Sequence, residues 1–159
     1  MLKLIEAFFV KLDVKGLGRG NIKRIMDAGF DTIPKILVMT VEDFLTVEGF
    51  KEKMANKVHG AIQDMLQTVK LEDLMGASNI FGRGLGTKRI KIIMENYPNI
   101  LTSSQTSEEK ITMISQLDGF KQKTAEMFVP YIPEFMRFIK TIQLESKLQE
   151  TGETKYVVN

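Results

Sequence analysis

The chain has 159 residues, 43% hydrophobic and 26% charged, the balance of a folded domain and not of a disordered segment. It has no cysteine and one histidine, His59, which excludes disulfides, zinc–thiolate sites and a multi-histidine metal centre. The 22 basic and 20 acidic residues leave a net charge of +2, too small by itself to announce a polyanion-binding surface.

No run of about 18 apolar residues occurs, so no membrane span is expected. The opening Met1-Leu2-Lys3-Leu4-Ile5-Glu6 is amphipathic and lacks the apolar core of a secretory signal, so an intracellular protein is expected. In chain order, Leu4, Ile5, Phe8, Phe9 and Leu12 recur at helical spacing. A glycine turn at Gly16-Leu17-Gly18 follows, then a helix marked by Ile22, Ile25 and Met26. Thr40 with Asp43 reads as a capped helix start. Glu48-Gly49-Phe50-Lys51 is a second glycine turn, and Met54, Ala55, Val58, Ile62 and Leu66 then stripe a long helix that carries His59, read as a boundary or surface residue. Leu71, Leu74, Met75 and Ser78 mark a shorter helix before a third turn at Gly84-Leu85-Gly86. Ser107, with Glu108 and Glu109, reads as another capped start, and Asp118-Gly119-Phe120-Lys121 as a fourth turn. A last helix is expected over 131–148, entered through Pro130 and Pro133. Only Tyr156-Val157-Val158 has strand character. The ten methionines read as adaptable core filler.

The turns repeat. Gly16-Leu17-Gly18-Arg19-Gly20-Asn21-Ile22-Lys23-Arg24-Ile25-Met26 resembles Gly84-Leu85-Gly86-Thr87-Lys88-Arg89-Ile90-Lys91-Ile92-Ile93-Met94, 68 residues later. Glu48-Gly49-Phe50-Lys51-Glu52-Lys53-Met54-Ala55 resembles Asp118-Gly119-Phe120-Lys121-Gln122-Lys123-Thr124-Ala125, 70 residues later. Two tandem halves are expected, over 1–69 and 70–143, with 144–159 as a helix end and tail that would start a following domain.

Each turn has one grammar: a helix ends, glycine and an apolar residue follow, and a new helix opens among basic residues. The glycines are expected to supply positive φ and to let the backbone approach something bulky. Leu17, Phe50, Leu85 and Phe120 are expected to plug the space between helices. The new helix then offers unpaired N–H groups at the positive end of its dipole, which suits a phosphate. Cations there oppose the macrodipole, yet Arg19, Lys23, Lys51, Lys53, Lys88, Lys121 and Lys123 all sit at such starts. Two stretches, 14–26 and 79–94, hold Lys15, Arg19, Lys23, Arg24 and Arg83, Lys88, Arg89, Lys91 with no acid among them. The acids gather elsewhere, at Glu42, Asp43, Glu72, Asp73, Glu108 and Glu109. One such turn reads as an ordinary helix connection with solvated lysines; four together favour a binding role. The candidate binding residues are therefore Gly16, Gly18, Arg19, Gly20 and Lys23; Gly49, Lys51 and Lys53; Arg83, Gly84, Gly86, Thr87, Lys88 and Arg89; and Gly119, Lys121 and Lys123.

Gly16-Leu17-Gly18 and Gly84-Leu85-Gly86 resemble helix-hairpin-helix motifs, and Gly49-Phe50-Lys51 and Gly119-Phe120-Lys121 their degenerate partners. Over about residues 1–140 the order resembles the helix-hairpin-helix domain of NAD-dependent DNA ligases. Ile5-Glu6-Ala7-Phe8-Phe9 leading into Val14-Lys15-Gly16 and Leu74-Met75-Gly76 before the third turn carry this likeness. Ala77-Ser78-Asn79-Ile80-Phe81-Gly82 is similar to a large-DNA-virus version. The resemblance implies an all-α fold of tandem helix-hairpin-helix pairs, two pseudo-twofold units that are SAM-domain-like. It implies double-stranded or nicked DNA and the remaining ligase domains as partners, and a cytoplasmic, nucleoid or, for a virus, host-cytoplasmic or nuclear location. NAD and a divalent metal are implied for the whole enzyme and none for this chain. The family's Lys-x-Asp-Gly motif is missing; Lys11-Leu12-Asp13-Val14 imitates it by coincidence, in the helix entering the first turn.

The expected activity is a sequence-independent grip on backbone phosphates across the minor groove that holds nicked DNA for sealing in repair or replication. No set of Asn, Gln or Arg suits the reading of base edges. Two alternatives stand beside it: a DNA-binding subunit of another repair or recombination factor, and a helical protein-interaction module. A monomer is expected, since no heptad repeat is sustained.

Overall fold

A computed structural model describes residues 1–82 and 85–148. The expected strand at 156–158 lies outside these. Among the described residues there are ten α-helices through Thr141, a further helical stretch at 146–148 and one 3₁₀ turn, with no strand, and no helix long and apolar enough to cross a membrane. The chain divides into two compact units, Met1–Val69 and Lys70–Asn159.

In the first unit, α1 (Leu2–Lys11) leads through the Gly16–Gly18 turn into α2 (Arg19–Asp27). A short α3 (Ile33–Leu37) connects to α4 (Val41–Leu45), and the Gly49 turn leads into the long α5 (Glu52–Thr68). The apolar stripes converge: Ile5, Phe8, Phe9, Ile22, Ile25, Ile36, Phe44, Ala55, Val58 and Ile62 are all buried to within 1%. This continuous apolar contact stabilises helices that are too short to persist alone.

The second unit repeats the order. α6 (Leu71–Ser78) precedes α7 (Thr87–Asn96), and α8 (Ser107–Ser115) precedes α9 (Gln122–Phe128). A turn at 97–103 stands where the first unit has α3, and buries Ile100 and Leu101 as α3 buries Ile36 and Leu37. After α9 a 3₁₀ turn (Val129–Tyr131) leads into α10 (Ile132–Thr141). The core is aromatic: the Phe81 ring stacks on Phe128 at 4.6 Å and lies 5.6 Å from Phe135.

Helix ends explain two differences from expectation. The helix expected over 131–148 is interrupted: α10 closes at Thr141, where Gln143 takes a left-handed φ of 61° and Leu144 N–H donates back to Ile139, and the chain is helical again at 146–148. Pro130 and Pro133, which carry no amide hydrogen, fall where the second unit breaks into α9 and α10, whereas α5 runs unbroken. The second capping box is built on Thr106 and not Ser107: Thr106 Oγ1 accepts from Glu109 N–H while Glu109 Oε1 accepts from Thr106 N–H. The Thr40–Asp43 box forms as expected.

Candidate functional site

All four plug residues are buried, with Leu17 and Leu85 at 2%, Phe50 at 5% and Phe120 at 7% exposure. Each anchors its turn to the core, so the neighbouring glycines and cations are held outward on a fixed backbone.

The glycines divide into two kinds, which corrects the expectation that all supply positive φ. Gly16, Gly49 and Gly119 do, at 87°, 86° and 81°. Gly18 and Gly86 do not; they are the N-caps of α2 and α7, with φ of −82° and −76° in extended backbone. A Cβ at Gly18, Gly20 or Gly86 would meet nothing within 4 Å. The fold's interior therefore does not require a missing side chain at these three positions. What the missing side chain leaves open is the outward face of the helix start.

Capping chemistry points the same way. Thr32, Thr40 and Thr106 cap α3, α4 and α8 with side-chain oxygens. The helices that follow the four glycine turns start at Gly18, Lys51, Gly86 and Lys121, and none receives a side-chain cap. Their first amides are thus left for solvent or a ligand. α2, α7 and α9 also have no acid in the first turn; α5 has Glu52.

The cations around these starts differ in what they touch. Lys23, Lys51, Lys53, Lys88, Lys121 and Lys123 are exposed, with no ion-pair partner among the described residues. Arg19, at the first position of α2, reaches back to Glu6 of α1, Nε to Oε1 at 3.5 Å. Thr87 is half-buried and turned against Gly76 of α6, where a Cβ would overlap its Oγ1. Arg89 is half-buried as well: its Nη2 donates to the Gly119 carbonyl at 2.8 Å and its guanidinium lies 4.8 Å from the Phe120 ring centroid. Arg83 and Gly84 lie outside the described residues. Arg24, absent from the candidate set, lies with its guanidinium against Gly49 and donates to Asn21 Oδ1 at 2.9 Å.

Asp13 lies past the end of α1 and not within it. It occupies the left-handed closing position at φ 57°, where Val14 N–H donates to Phe9 O at 2.9 Å and Asp13 N–H to Val10 O at 3.0 Å. Lys11-Leu12-Asp13-Val14 is thus a helix stop, with Asp13 ion-paired to Lys15 at 3.1 Å. No group of three or more His, Asp or Glu side chains among the described residues is arranged to hold a metal.

Residues 11–64 match the family model described as a SAM-like helix-hairpin-helix tandem. Residues 11–64 therefore carry a tandem helix-hairpin-helix. The model covers the first glycine turn through α5, and the second unit repeats that helix order. Over 144 residues the chain is 40% identical to a DNA ligase of Acanthamoeba polyphaga mimivirus, a match that takes in 89% of this chain and 23% of the ligase. The chain thus spans under a quarter of the length of that relative.

Proposed function

We propose that this chain is the duplex-gripping module of a DNA ligase of the NAD-dependent kind. The observation that carries the reading is the set of uncapped helix starts at Gly18 and Gly86, where the interior does not call for glycine and exposed cations gather. Backbone N–H groups of α2, α5 and α7 donate to phosphate oxygens, and Lys23, Lys51, Lys53, Lys88, Lys121 and Lys123 add point charges around them. α9 is short, so Lys121 and Lys123 act there mainly by charge. All these contacts go to the backbone, so the grip is independent of sequence and spans the minor groove between paired hairpins. The module holds nicked DNA while the remaining domains carry out sealing in repair or replication. The reading assigns the chemistry to the remaining domains, where the family resemblance implies NAD and a divalent metal; Lys11-Leu12-Asp13-Val14 is a helix stop.

The test is fluorescence anisotropy with a nicked and an intact duplex over a salt series. Neutralising about four to six phosphates gives a slope of log K against log[salt] of about −4 to −5, with Kd of about 10⁻⁴ to 10⁻⁶ M at physiological salt. Absence of duplex binding at low salt would sink the reading and favour a protein-interaction module.

A further inference from the structure

In both units an arginine from the first hairpin reaches the glycine turn of the second, though by different contacts. Arg89 of α7 donates to Gly119 O at 2.8 Å and covers Phe120. Arg24 of α2 sets Cδ, Nε and Cζ 3.8–4.0 Å from where a Cβ of Gly49 would stand. The two arginines are not equivalent in the repeat. Arg89 aligns with Asn21, and Arg24 with Ile92, one helical turn further on. An arginine reaches the second turn in each unit although neither the sequence position nor the type of contact is the same.

In the first unit Asn21 completes the link. Its Nδ2 donates to Gly16 O at 2.8 Å and its Oδ1 accepts from Arg24 Nη1 at 2.9 Å. The chain of contacts therefore runs from the first turn, through Asn21 and Arg24, to the second turn. In the second unit Arg89 bridges from α7 to the Gly119 turn by itself.

We infer that Arg24 and Arg89 are positioning residues: each fixes the second hairpin turn of its unit relative to the open start of the first, and so sets the spacing at which two phosphates are held. This rests on the duplex-grip reading. A guanidinium suits the task because it stacks on the turn's aromatic or glycine face while donating in plane to a carbonyl; an ammonium does not. Arg89, whose charge suggests a phosphate contact, is thereby assigned to the protein's own backbone.

The experiment compares wild type, Arg89→Lys, Arg89→Met, Arg24→Lys and Lys88→Met. It uses duplex anisotropy over a salt series and amide exchange of the free protein at 119–121 and 49–51. Lys88→Met is expected to lower the salt slope by about 0.9, the mark of one lost phosphate contact. Both Arg89 variants are expected to weaken binding about tenfold, the low end for a charge-assisted hydrogen bond, with the slope unchanged and exchange at 119–121 faster. Arg24→Lys should behave alike at 49–51. Full rescue by Arg89→Lys, with a slope lowered by about 0.9 in Arg89→Met, would make Arg89 a direct phosphate contact and overturn the inference. Unchanged exchange in all three arginine variants would also overturn it. If wild type binds no duplex, the grip reading fails; faster turn exchange in the variants would then still support the brace itself.

Discussion

Gly16 presses on Val58: a Cβ there would stand 3.0 Å from Val58 Cγ2, while Gly18, two residues on, faces open space. The two glycines of one turn are thus held by different demands. Gly16 combines that contact with a φ of 87°, so Gly16→Ala is strained in both respects. We expect it to destabilise the chain by about 1–3 kcal/mol, read from denaturant unfolding.

Gly18→Ser and Gly86→Ser should do the reverse. The oxygen of a serine at the N-cap accepts from the first amides, and serine is a slightly better cap than glycine, by a few tenths of a kcal/mol. Stability is expected to hold or rise while duplex affinity falls, because the amides proposed to meet phosphate gain an internal acceptor. Gly20→Ala extends the test. Lying inside α2, it should stabilise the helix by roughly 0.5–1 kcal/mol and still weaken binding. Binding that tracks stability upward in all three variants would argue against a phosphate site at these starts.

The helix order, the four turns and the buried plugs were legible because each has a local cause. A 3.6-residue apolar period, glycine before an apolar residue, and Thr three residues before an acid all act within one turn of chain. What was not legible depends on distant partners. Gly18 and Gly16 look alike in the sequence; the φ of 87° at Gly16 and its approach to Val58, 42 residues away, separate their roles. Arg89 reads as one more cation at a helix start until the Gly119 carbonyl, 30 residues on, is seen to accept from it. Arg24 escaped the candidate set because Asn21, not Arg24, aligns with Arg89. α3 escaped because five residues carry too little periodicity to mark a helix, although Thr32 and Pro34 do signal its start.

Gly76 and Thr87 give a separate prediction about the third hairpin. Gly76 is buried in α6, and a Cβ would overlap Thr87 Oγ1 and come within 3.1 Å of Thr87 Cα. One of these contacts is backbone, so a rotamer change does not relieve the crowding. Gly76→Ala is expected to cost about 1–3 kcal/mol despite the better helix propensity of alanine. Thr87→Ser retains the Oγ1 and should not rescue it, whereas Thr87→Gly removes both side-chain contacts and should recover part of the loss. A double-mutant cycle by thermal unfolding measures that coupling. Additive effects would show that the two residues do not meet in this way.

The Thr106–Glu109 capping box makes α8 sensitive to acid. The Thr106 backbone N–H, and then its side chain, hold the Glu109 carboxyl below the usual glutamate range. A carboxyl whose pKa is depressed on folding stabilises the folded state above its unfolded pKa, about 4.3, and loses that contribution as pH falls through the lower folded value. The α8 start is therefore expected to be fully capped at neutral pH and to loosen below about pH 4. Carboxyl titration by NMR should give Glu109 a midpoint below the ordinary glutamate value of about 4.3. Amide exchange at 106–109 should quicken over the same acid range in wild type. Glu109→Gln, which accepts the same hydrogen bond without titrating, should remove that pH dependence. A Glu109 midpoint at or above the ordinary value would show that the box does not favour the carboxylate.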